Sequence, residues 1–114
     1  MTKSLINGLL VLIFLASGSA KLAGLEFELN AFERWGYPLW FMYFTGVVEV
    51  LGGLGLLVVA LRRLVSLGLL GVMIGAVLTH LANDEWSMLL IALIILLLAG
   101  VNARIQPGSF NPLR

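Results

Sequence analysis

Apolar residues in this chain fall into four long runs parted by short polar islands, and the length of each run predicts a membrane-crossing helix. A bilayer core is spanned by about 20 apolar residues at about 1.5 Å each. The runs cover approximately Leu5–Leu25, Leu39–Leu61, Leu64–Ala82 and Glu85–Ile105. Only Arg62 and Arg63 separate the second run from the third, and "NDEW" (Asn83–Trp86) separates the third from the fourth. Connections this short predict antiparallel neighbours, with Asn83 or Asp84 as an N-cap. The first connection, residues 26–38, is longer. Its "NAFERWG" sets Asn30 and Glu33 at capping-box spacing, with Gly36 where a helix would end. Leu25, Leu29 and Phe32 share one face of such a helix, which would lie in the membrane interface. Pro38 suits the first turn of the second span. The expected fold is all-α: one domain, a polytopic four-helix membrane bundle with short loops.

The first run has a second reading as a secretion signal, because Lys3 precedes it and Gly18–Ala20 resembles a small-residue cleavage site. We expect an uncleaved helix. Charge then orients the bundle. With four spans, Lys3, Arg62, Arg63, Arg104 and Arg114 collect on one side, while all six acidic residues except Glu49 collect on the other with Lys21 and Arg34. The positive-inside rule places both termini in the cytoplasm, as in a bacterial cytoplasmic (inner) membrane protein. Trp35, Tyr37, Trp40, Tyr43 and Trp86 form an aromatic belt at the outer boundary.

Composition agrees with lipid as the solvent: 61% of the 114 residues are hydrophobic and 11% charged, against roughly a quarter charged in soluble domains. A net charge of +1 without a basic cluster offers no nucleic-acid footprint. The absence of cysteine excludes disulfides, iron–sulfur ligation and thiolate chemistry in this chain. One histidine is too few for the usual multi-histidine metal site.

Packing is expected from small residues: Gly18 on the first span, Gly46, Gly52 and Gly53 on the second, and Gly71 and Gly75 as a GxxxG pair on the third. The fourth span, "MLLIALIILLLAG", presents a uniform aliphatic surface that suits lipid, a protein partner or a second copy of the chain. "KLAG" (Lys21–Gly24) and "HLAN" (His80–Asn83) close the first and third spans alike, an echo that fits two diverged hairpins.

Glu49 breaks the apolar pattern. It sits near the middle of the second run, where a charge costs on the order of 3 kcal/mol. It is tolerable if protonated, paired or facing a wet cavity. Lys21 and His80, near the outer ends of the first and third spans, lie about 10 Å shallower. Side chains tilt toward the N-terminus of their own helix, so Lys21 and His80 lean inward while Glu49 leans outward, which lets a long lysine and a glutamate meet or share a water. The plainer alternative lets Lys21 snorkel to the surface and leaves Glu49 bonded to Thr45 or to backbone. Ser17 and Lys21 share a face with Phe14 and Gly18. With Glu49 and His80 they are expected to line a polar pocket roofed by Trp35, Tyr37 and Trp40, of a kind suited to a lipid-soluble ligand such as a quinone.

"SGSAKLAG", "FERWGYP", "GVVEVLGGLGLL" and "IGAVLTH" together resemble the DoxX family of small four-helix membrane proteins, over about Ser17 to His80. That family takes its name from a subunit of a thiosulfate:quinone oxidoreductase, and other relatives belong to a membrane oxidoreductase complex acting against oxidative stress. A vertebrate relative is an assembly chaperone for nicotinic receptors. The resemblance implies an accessory role in a quinone-linked redox complex or, alternatively, a non-catalytic assembly factor. The tail "QPGSFNPLR" carries nothing diagnostic.

Overall fold

The computed structural model describes residues 1–107, and Arg114 lies outside them. It is an all-α membrane protein: α1 (Thr2–Leu22), α2 (Glu26–Trp35), α3 (Leu39–Gly55), α4 (Arg62–Ala82) and α5 (Trp86–Ile105). Three of the long helices have the length and hydropathy to cross a membrane by themselves, and α3 is an apolar helix of 17 residues. α1 packs chiefly on α3 and α4 on α5, and the two pairs meet along α1–α5 and α3–α4. Leu10, Phe14, Leu56, Leu69 and Met73 form the core between them.

The second span, α3, stops earlier than the apolar run suggests. After Gly55 the chain passes through an extended residue, Val58, and a 3-10 turn over Val59–Leu61 before α4 begins at Arg62. Glycine weakens a helix by its backbone freedom, and "GGLG" concentrates it at this end. The carbonyl of Leu56, freed by the break, accepts from Asn7 Nδ2 at 3.0 Å and from Arg62 Nε at 2.8 Å. An apolar composition runs through to Leu61, but helix geometry ends where other side chains satisfy the backbone.

The loop ends differ from the capping expected of them. Asn30 lies inside α2, whose N-cap is Leu25, and Pro38 is the N-cap of α3. Leu25 is exposed, so the buried face of α2 runs through Glu28, Ala31 and Phe32. α5 is preceded by Glu85 as N-cap, while Asp84 takes a left-handed conformation (φ 56°) closing α4. The echo between the hairpins is real in the backbone but shifted by one residue. Leu25 N–H bonds to Ala20 C=O just as Glu85 N–H bonds to His80 C=O, so Gly24 matches Asp84 and Lys21 does not match His80.

Gly18 and Gly46 face each other across α1 and α3. A Cβ on Gly18 would stand 2.8 Å from the Gly46 carbonyl oxygen, and one on Gly46 would stand 2.9 Å from Lys21 Cβ. Gly52 receives Leu69 and Gly53 receives Leu15. Gly71 and Gly75 do not pack as a GxxxG pair, for no atom lies within 4 Å of a Cβ built on either. Each follows a buried residue, Leu69 or Met73, by two positions. At about 100° per residue that turns both away from those two core residues, and Gly75 borders the open space on the side of buried Thr79.

Candidate functional site

A cavity of about 1000 Å³ opens under α2, between α3 and the α4–α5 pair. Its walls are mostly apolar and aromatic. Phe14, Phe32, Trp35, Tyr37, Trp40, Phe41 and Phe44 all contribute. Phe32, Trp35, Tyr37 and Phe41 touch one another edge-on or tilted, with ring centroids 5.1–6.3 Å apart, spacings at which aromatic pairs attract.

One side of the cavity is polar. Lys21 Nζ lies 3.0 Å from Glu49 Oε1 and 3.3 Å from Glu28 Oε2, and it donates to Ser17 Oγ at 2.8 Å. Ser17 in turn donates to Glu49 Oε1 at 2.8 Å. Residue exposures are 8% for Lys21, 9% for Glu28 and 5% for Glu49, so this is a buried ion-pair triad. Its geometry follows from the glycine contact. Lys21 and Glu49 each stand three residues past Gly18 and Gly46, on helices running in opposite directions, so their backbones differ in depth by about 9 Å. Opposite tilts and the long lysine stem close that gap. Gly46 matters directly, because the Lys21 stem lies against α3 where its side chain would be. Thr45 donates to the Phe41 carbonyl instead of to Glu49.

His80 reaches the same cavity but not the triad. Its Nδ1 lies 2.8 Å from Glu85 Oε1. Glu85 also accepts from Trp35 Nε1 and Arg34 Nε, each at 2.9 Å, with Arg34 Nη2 at 2.7 Å. Tyr37 and Thr79 hydroxyls meet at 2.8 Å. Burial pushes the Glu85 carboxyl up, but hydrogen bonds from His80, Arg34 and Trp35, with the Arg34 charge, outweigh it and hold the group below its ordinary value. These contacts fasten α2 at both ends, through Glu28 to α1 and through Arg34 and Trp35 to the α4–α5 turn.

Ser17, Lys21, Glu49, His80, Trp35, Tyr37 and Trp40 therefore all border one cavity, in two separate polar groups. The imidazole of His80 is partnered by Glu85 and not by Glu49. Glu28 and Glu85 escaped the sequence reading, which treated both as solvated charges on the outer side. The signal available was spacing: Glu28 sits seven residues past Lys21 and Glu85 five past His80, close enough for the chain to fold back. Among the described residues no group of three His, Cys, Asp or Glu side chains is placed to hold a metal ion.

The DoxX-like family model matches residues 5–101, which takes in α1 through most of α5 and so the whole cavity. The chain belongs to the DoxX-like family. A relative of this DoxX-like chain, the Bacillus subtilis (strain 168) protein YdgD, is 27% identical over 106 residues, covering 90% of this chain and 92% of its own length, and is itself uncharacterized. No solved structure matches the DoxX-like chain.

Proposed function

We propose that this DoxX-like protein is a single four-span domain of the bacterial cytoplasmic membrane, serving as a non-catalytic accessory subunit of a quinone-linked redox system. Its part is to hold a lipid-soluble ligand in the cavity. The observation that carries this reading is an apolar, aromatic-walled space of about 1000 Å³ with one buried polar cluster at its side. Sites for small hydrophobic molecules have that form, apolar walls with a few convergent polar groups. The volume accommodates a ring with the first units of a prenyl tail. The aromatic walls suit the ring, and Lys21, Glu49 and Ser17 stand where a polar head would lie. When bound, a quinone supplies the electron-carrying chemistry. This chain has no cysteine to do so, and its residues bind, orient and exclude water.

The test is gentle extraction of the protein with its native lipid, followed by mass spectrometry of bound small molecules and of accompanying proteins. The expected result is a quinone or quinol retained by the native chain and lost from Glu49→Leu, together with a redox-active partner. Extraction of the chain alone, with phospholipid its only ligand, would sink the proposal.

A further inference from the structure

Polar side chains around the cavity leave an uneven set of hydrogen-bonding atoms. Lys21 has three N–H groups, and each has an oxygen within 3.3 Å: Ser17, Glu28 and Glu49. The Ser17 proton goes to Glu49. The Thr79 proton goes to the Gly75 carbonyl, so in the Tyr37–Thr79 pair Tyr37 is the donor and its proton is used as well. Trp35 Nε1 and His80 Nδ1 are both engaged by Glu85. Away from the water-exposed rim, these donors on the wall already have acceptors.

Acceptors remain. Ser17 and Lys21 both use Oε1 of Glu49, and Glu28 meets Lys21 through Oε2. Glu49 Oε2 and Glu28 Oε1 have no partner among the described residues. No side-chain nitrogen or oxygen that is fully enclosed there lacks one. Both oxygens are therefore open to the space that Glu28 and Glu49 line. An ionised carboxylate only accepts, and a lone-pair site left unfilled at a residue 95% buried is costly. The atom count points the same way: the three protons of one lysine face the four oxygens of two carboxyl groups, so acceptors outnumber donors within the triad.

We propose that the cavity binds lipophilic molecules through a proton-donating, preferably cationic head, with a primary ammonium on an alkyl or aryl body as the best match, and that it discriminates against heads that only accept. At the triad a carbonyl oxygen would face carboxylate oxygens and find no free proton there, whereas an ammonium would donate to Glu49 Oε2 and Glu28 Oε1. Of the two redox forms of the ligand proposed above, the reduced quinol is the one this rule favours at the triad. The proposal uses the cavity described above but stands without the redox reading.

The test compares four probes of matched chain length, decylammonium, decyltrimethylammonium, decylhydroquinone and decylbenzoquinone, against the full chain in zwitterionic nanodiscs. Retention is measured by native mass spectrometry and thermal shift. Decylammonium is expected to bind at least about tenfold more tightly than decylbenzoquinone, the span of one charge-assisted hydrogen bond. The hydroquinone and the trimethylammonium, each with only one of the two features, should fall between. Glu49→Gln should lower decylammonium affinity about tenfold and raise that of the benzoquinone, because the amide group that replaces Oε2 carries N–H donors. If that variant does not fold, Glu28→Gln, which keeps the Lys21–Glu49 pair, should lower the same affinity by a smaller factor. Benzoquinone binding as tight as ammonium, or no binding by any probe, overturns the proposal. Ammonium binding with neither quinone nor quinol supports it and removes the redox reading instead.

Discussion

The bundle buries polar side chains at both ends, and the two clusters are built on different terms. At the loop end the triad of Lys21, Glu28 and Glu49 is charged, sits beside open space and has acceptor oxygens left over. At the end where α1 begins, Asn7, Ser66, Asn102 and Gln106 are neutral and closed. Gln106 donates to Asn102 Oδ1 and to the Lys3 carbonyl, Asn102 donates to Asn7 and Ser66, and Asn7 donates to the Leu56 carbonyl. Ser66 and Asn102 are wholly buried, and Gln106 is 1% exposed. That chain of amides ties α1, α4, α5 and the end of α3 into one network, none of whose members lines the cavity, and satisfied networks of this sort rigidify a core. The difference teaches where to look for function. A closed neutral cluster accounts for itself by holding helices together, whereas a charged cluster with unfilled valence beside a cavity does not.

Substitutions can break that contrast. The largest effect is expected at Lys21. Lys21→Leu strands two buried carboxylates, and removing one partner of a buried pair costs about 3–5 kcal/mol. Unfolding measured in bicelles should show that loss, and Lys21→Leu combined with Glu49→Leu should recover much of it. A neutral single variant would mean the triad is wet and surface-like. Asn102→Leu should cost less, about 1–3 kcal/mol, by leaving buried amide partners unsatisfied. Ligand binding at the far end should stay intact, and if it falls in parallel the two clusters are not independent.

Glycines sharpen the picture further. Gly18→Ala drives a methyl to within 2.8 Å of backbone on α3, and overpacking of this kind costs about 1–3 kcal/mol. It should also loosen the Lys21–Glu49 pair, read as weaker decylammonium binding. Gly71→Ala meets open space and should stabilise α4 by up to about 1 kcal/mol. The smallest effect concerns pH. Glu85 has a lowered folded-state pKa, so the stability it contributes is present above its unfolded value and lost as pH falls through the folded one. Trp35 fluorescence should therefore hold steady through neutral and mildly acidic pH and change only below the ordinary glutamate value of about 4.3. Glu85→Gln should abolish that acid step.

What the sequence determined by itself was the part that depends on solvent and on the length of the apolar runs. Runs of apolar residues long enough to span lipid, a short helix ending at Gly36 and the exceptional place of Glu49 follow from composition and spacing alone. Tertiary structure decided which polar groups meet. One residue of helix turns a side chain by about 100° and moves it about 1.5 Å, so partnership depends on helix rotation and depth, and these were set by close packing. The Gly18–Gly46 contact gave Glu49 to Lys21, and the turn after Asp84 gave His80 to Glu85. Asn7, Ser66, Asn102 and Gln106 look unremarkable in sequence because each stands alone among apolar neighbours. Only the packing of separate helices makes them a cluster.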